Sequence, residues 1–488
     1  MNLKKGSGRS AQNAPEIRVT SRTTTANPDV AAVLGRAVAL HLEGKRREAL
    51  KEINDAIDGG MQDPELYSGR GHIQFELEMY EDAARSYSRL LELAPDHASG
   101  VFNLAVCYEK IGRWEEGAQL FERSLKQQPD RADARLGLAI CSLQAGKAQQ
   151  ALTQFDSILQ AGPNDTAQFG KAVALQMVGK NPEAVAIYKQ ILERNPNSEE
   201  ALTNLITIGL ADKDDALTQE MSERMLLVRP NAQAALEGLA SVAFSRGDFE
   251  AAARCCQKLV EGTPDHFERW FNLGVAHQKL NHLEQAAQAY GEAIRVNPES
   301  EQAHVNLGLV KQQLGDLKGA KENYEAALQK NRELPEVQYN LGALLEKLGQ
   351  AEQAEAIYSG LLKKKGDWQE VWFRVGYLRL ERADTRGAIE AFQECLRLKP
   401  DWFEAHLNLG LAYWRGGDRD RAAEAFQEVL RMDSDCLDAL KALASLAVER
   451  EDHQQALDYQ ARLIELGERT PELFYNTGLL LQRSGQIE

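Results

Sequence analysis

The sequence predicts an all-α solenoid of stacked antiparallel helix pairs, and three periodic features predict it. First, Pro95, Pro129, Pro163, Pro196, Pro230, Pro264 and Pro298 stand 34, 34, 33, 34, 34 and 34 residues apart, a period typical of helical-repeat arrays. Second, each period carries two amphipathic helical patterns, and neither can bury its apolar stripe without a neighbour. Third, two small residues and an aromatic ring recur at fixed places, as tight helical hairpins demand. The proline ruler, continued, lands on Arg332, Gly366, Pro400, Ser434 and Glu468, and run backwards it reaches Met61 and Asn27. Nearly all of the 488 residues therefore belong to one array.

The elements follow in chain order. Residues 1–29 are polar and carry Lys4, Lys5, Arg9, Arg18 and Arg22, with Glu16 the one acid before Pro28; this composition predicts a disordered tail, the alternative being a basic arm for an acidic partner. Residues 30–198 form an N-terminal array. Counting each unit from the third residue after its ruler position (the second after Pro163), the eighth place holds Gly71, Ala105, Ala139 and Ala172. Glycine inside a helix costs about 0.5–1 kcal/mol against alanine, so its recurrence predicts close approach of the second helix. The twentieth place answers with Ala83, Gly117, Ala151 and Ala184, and the twenty-fourth with rings such as Phe121, Phe155 and Tyr188.

Residues 199–232 depart from this pattern, with Ile206, Thr218 and Ser222 at the three places. A helical pair with looser or shifted packing, and a candidate bend, is expected there. Residues 233–488 form a C-terminal array with Gly274, Gly308, Gly342, Gly376 and Gly410 at the eighth place and Tyr290, Tyr324, Tyr358, Phe392 and Phe426 at the twenty-fourth. In the unit from Phe267, the stripe Trp270, Phe271, Leu273, Gly274 and Val275 is interrupted by Asn281 and His282, and Ala286, Tyr290, Ala293 and Ile294 make the second stripe. The last unit, from Pro471, has a first helix through Ser484 and an incomplete second one. The natural polypeptide is accordingly expected to continue beyond Glu488.

Small residues at places eight and twenty, an aromatic at twenty-four and proline at thirty-two resemble the tetratricopeptide repeat, over about thirteen units and a partial one from Val30 onward. The resemblance implies a right-handed superhelix whose first helices line a concave groove, with places two, five, nine, twelve and thirteen facing inward. In the C-terminal array these places include Phe271, Val305, Tyr339, Phe373, Tyr377, Leu407 and Trp414. An apolar, aromatic groove suits a peptide or helix of a partner; the alternative is packing between adjacent repeats.

The sixth place adds Asn103, Asn204, Asn272, Asn306, Asn340, Asn408 and Asn476, with Arg374 interrupting the best run. An amide offers both donor and acceptor to an extended backbone. The run Asn272, Asn306, Asn340, Asn408 is similar to the asparagine ladder in the superhelix of O-linked N-acetylglucosamine transferase and in kinesin light chains. Local bonding within the repeat is the competing reading. The two-carboxylate clamp of chaperone-binding repeats needs asparagine at place nine, where this chain has His72, Val275, Leu309 and Tyr377 among others, and never asparagine.

A net charge of −16 and a pI near 5.2 argue against a nucleic-acid partner. No apolar run reaches the length of a membrane span. Six scattered cysteines, without a C-x-x-C spacing, suit a reducing compartment, so a cytoplasmic location is expected. The adjacent Cys255 and Cys256 read as core filler, because consecutive helix positions diverge. H-E-x-x-H, G-x-S-x-G and phosphate-loop patterns do not occur. No catalytic residue, metal or cofactor is expected.

These readings converge on a non-enzymatic scaffold that binds a protein or peptide ligand in its groove. The alternative is the substrate-recruiting region of a larger enzyme, such as a protein glycosyltransferase with its catalytic domain beyond residue 488. Self-association through the array ends is a third reading.

Overall fold

A computed structural model describes residues 28–484. It contains twenty-seven α-helices, and no strand occurs among the described residues. The tail expectation for residues 1–27 and the second helix of the last unit lie outside the described residues; Pro28 and Asp29, included in that tail, open the first helix, Pro28–Leu42. From there every first helix begins at the first place of the ruler, at Pro64, Ala98, Ala132, Asp165, Glu199, Gln233, Phe267, Glu301, Pro335, Gln369, Phe403, Leu437 and Pro471. Among the described residues the helices make thirteen pairs and a single final helix, an all-α solenoid. It divides into two compact units, Met1–Ser245 and Arg246–Glu488.

The turn inside each pair is set by one backbone conformation. Gly44, Gly112, Gly146, Gly179, Gly247, Gly315, Gly349 and Gly417 occupy it with φ between 72° and 83°, a left-handed region that glycine enters without a Cβ clash. Glu78, Lys213, Asn281, Ala383 and Glu451 take the same place at φ 56–62°. The residue after this turn often caps the second helix. Asp214, Asp248, Asp316, Asp384, Asp418 and Asp452 each accept a hydrogen bond from the backbone N–H three residues on, satisfying a donor that the helix cannot.

In each unit the core holds a series of rings. Tyr87, Phe121, Phe155, Tyr188, Tyr290, Tyr324, Tyr358, Phe392 and Phe426 are all buried to within 1%. The small residues at the eighth and twentieth places were expected to let the two helices approach closely. In the structure the ring itself occupies the space: a methyl group placed on Gly308, Gly342, Gly376 or Gly410 would come within 2.5–2.8 Å of Tyr324, Tyr358, Phe392 or Phe426.

The ruler position has a second function besides stopping a helix. Its carbonyl accepts a side-chain hydrogen bond from the next pair: Trp270 to Pro264 at 2.7 Å, Gln338 to Arg332 at 3.1 Å, and Trp372 to Gly366 at 2.8 Å. Each bond ties the connecting loop to the next first helix.

The divergent pair, Glu199–Asp212 and Asp215–Val228, is packed with a shifted close contact. Leu205, Ile206, Met221 and Met225 are buried, and the tight approach moves to Gly209, where a methyl group would lie 2.4 Å from the hydroxyl of Thr218. Methionine fills irregular space of this kind, being unbranched and flexible.

Candidate functional site

All eleven groove residues expected from the sequence lie in the second unit. They sit on the first helices Phe267–Lys279, Glu301–Gln313, Pro335–Lys347, Gln369–Glu381 and Phe403–Arg415. Tyr377 is exposed, at 40%. Phe271, Val305, Tyr339, Phe373, Leu407 and Trp414 are half-buried, each packed against the core of its own neighbourhood. Phe373 stacks on Trp402, ring centroids 4.8 Å apart at 20°, and Tyr339 stacks on Trp368 at 5.4 Å and 22°. Lys399 and Lys365 lie over the same two indoles. Tyr339 and Phe373 thus each pack one ring face against the next repeat. The tryptophans escaped sequence reasoning, although their 34-residue spacing follows the ruler.

The asparagines divide by partner. Asn306 Nδ2 donates to the hydroxyl of Tyr290 at 3.3 Å, and Asn103 makes the equivalent bond to Tyr87. Asn408 donates to the carbonyl of Glu404 in its own helix at 2.7 Å. Asn272 is exposed and Asn340 half-buried; neither has a hydrogen-bond partner among the described residues.

Beneath the amides runs a line of phenols. Tyr290, Tyr324 and Tyr358 donate to Gln278, Gln312 and Glu346 at 2.7, 2.9 and 2.6 Å. Burial pushes the Tyr324 phenol up to about 12 and those of Tyr290 and Tyr358 higher still, so these groups remain donors at physiological pH. Where the asparagine run is broken, Arg374 holds Glu346 through two contacts, with its Nε at 2.9 Å from Oε1. The places forming this line, twelve and twenty-four, were read from sequence separately, as groove and core.

One constellation in the first unit was not anticipated. The sequence was read as holding no metal site, yet His41, His72 and Glu76 bring their donor atoms within 4.8 Å of one another. His72 and Glu76 share a helix face one turn apart, and His41 ends the preceding first helix. No short motif spans two repeats. The available signal was His72 at the ninth place with a carboxylate four residues later.

The fold and its surface define a helical-repeat scaffold built of successive helical hairpins. The chain belongs to the tetratricopeptide repeat family. Family profiles described as tetratricopeptide repeat match residues 69–127, 112–175, 166–198, 220–267, 311–372, 374–418 and 407–471, and a further TPR repeat profile matches 279–315. Residues 199–219, unmatched, cover the first helix of the divergent pair.

Among solved structures, the chain is similar to YrrB, a TPR protein with an unusual peptide-binding site, at 24% identity over 39% of this chain and 98% of that one, TM-score 0.36. It is similar to PilF of Pseudomonas aeruginosa at 21% identity over 43% and 96%, TM-score 0.35. The complex Cut9–Hcn1 of APC/C matches at 15% identity over 88% and 98%, TM-score 0.34. No curated protein sequence matches significantly.

Proposed function

We propose that this protein is a non-enzymatic scaffold that holds an extended peptide segment of a partner along the first helices between Phe267 and Arg415. The observation that carries this reading is the pair of unpartnered amides of Asn272 and Asn340, on the same run of first helices as exposed Tyr377 and half-buried Phe271, Tyr339 and Phe373. Free amides can bond the N–H and C=O groups of an extended backbone, and aromatic edges supply apolar anchors at alternate side chains. An acidic chain with six unpaired cysteines suits a protein partner in a reducing compartment, the cytoplasm. No helix among the described residues is long and apolar enough to cross a membrane.

The test is peptide display against the intact chain, followed by affinity measurement on the selected peptide. Asn272→Ala combined with Asn340→Ala, and Tyr377→Ala separately, should each weaken binding at least about tenfold with helicity unchanged. Unchanged affinity in both would remove this surface from the interaction.

A further inference from the structure

The helix Pro28–Leu42 touches the helix Pro64–Glu76, and their contact brings two imidazoles to one carboxylate. His41 Nε2 lies 3.5 Å from Glu76 Oε2, and His72 Nε2 lies 3.4 Å from Glu76 Oε1. Both separations exceed an ordinary hydrogen bond. They do match the distance between donors around a tetrahedral ion, since two atoms about 2.1 Å from a metal stand about 3.4 Å apart. The two rings are 5.8 Å apart between centroids, so the imidazole nitrogens need a modest swing towards each other to share an ion.

Three further facts bear on the cluster. The side chains are sheltered, with 18%, 11% and 25% exposure for His41, His72 and Glu76. The buried Nδ1 of His41 has no hydrogen-bond partner among the described residues. Arg46 Nε holds Glu76 Oε2 at 2.8 Å, fixing the carboxylate with Oε1 turned to His72.

We propose that His41, His72 and Glu76 bind one divalent ion of the zinc class, clamping the first helix pair to the second. Two imidazoles and a carboxylate are a donor set for zinc rather than for magnesium or calcium, which prefer oxygen. Three protein ligands leave a fourth position open to water or to a donor from a partner. Unlike a packing contact, such a clamp adds stability only when the ion is present.

The experiment uses the full chain without a polyhistidine tag, stripped with chelator and titrated calorimetrically with zinc sulfate. The expected result is saturable uptake of one ion at this site, weakened at least about tenfold in His72→Gln and in His41→Gln. Uptake identical in wild type and both variants would place zinc elsewhere, for instance on cysteine, and overturn the proposal. Hydrogen exchange on the wild-type protein, free of any folding defect in the variants, gives a second readout. Zinc should slow exchange in Pro28–Leu42 and Pro64–Glu76 selectively, and equal exchange with and without zinc would overturn the clamp.

Discussion

The ring of Tyr290 occupies the place where a side chain on Gly274 would go: a methyl group there would lie 2.7 Å from its Cδ1 and Cε1. Gly291, in the second helix of the same pair, faces open space. The two glycines share helical backbone and differ only in what surrounds them. Gly274→Ala should destabilise by about 1–3 kcal/mol through overpacking, whereas Gly291→Ala should stabilise by about 0.5–1 kcal/mol through helix propensity. Urea melts of the two variants, read by circular dichroism, check the opposite signs.

The asparagine series should split in the same kind of assay. Asn306→Ala removes the donor to the hydroxyl of Tyr290 and should cost about 0.5–1.5 kcal/mol. Asn272→Ala removes an exposed amide with no protein partner and should stay within about 0.5 kcal/mol of wild type. Equal losses would mean that the sixth place has one structural function throughout.

Glu109 gives a pH signature. Burial raises its carboxyl above the ordinary value of 4.5, with Lys110 opposing. The unfolded chain therefore releases this proton first, and stability from Glu109 declines as pH rises from the ordinary value through the raised folded one. Glu109→Gln should accordingly melt at a higher temperature than wild type at pH 7, with the difference vanishing below about pH 4. A series of thermal melts between these limits measures it.

The cysteines should be largely silent in the native protein. Cys107, Cys256 and Cys395 are buried, and burial pushes each thiol up to about 12; Cys141 is buried and pushed up as well. Thiolate is the reactive form. Ellman's reagent should spare these four in the folded chain and titrate all six cysteines after denaturation, with any early reaction confined to partly buried Cys255 and Cys436.

Much of the architecture was legible because it is local and repeated. The ruler located the start of each first helix from Pro64 onward, since proline ends one helix and the next must begin within the connecting turn. The left-handed turn residue was only half visible, because glycine marks it in eight pairs while Glu78, Lys213, Asn281, Ala383 and Glu451 occupy it in five. The candidate groove was legible as a set of positions and not as a set of partners. Tyr339 and Phe373 were found by place, but their stacking on Trp368 and Trp402 depends on how one repeat meets the next.

The sequence by itself determined the repeat and the helix pairs, because a period of 34 residues and a helical period act within one hairpin. Only the tertiary structure decided which amides are free and which serve the phenols, where the divergent pair makes its close contact, and that His41 reaches His72 and Glu76. Those outcomes depend on contacts of a few ångströms between neighbouring repeats. Place numbers alone do not carry such distances, since they are fixed by the stacking of one hairpin on another.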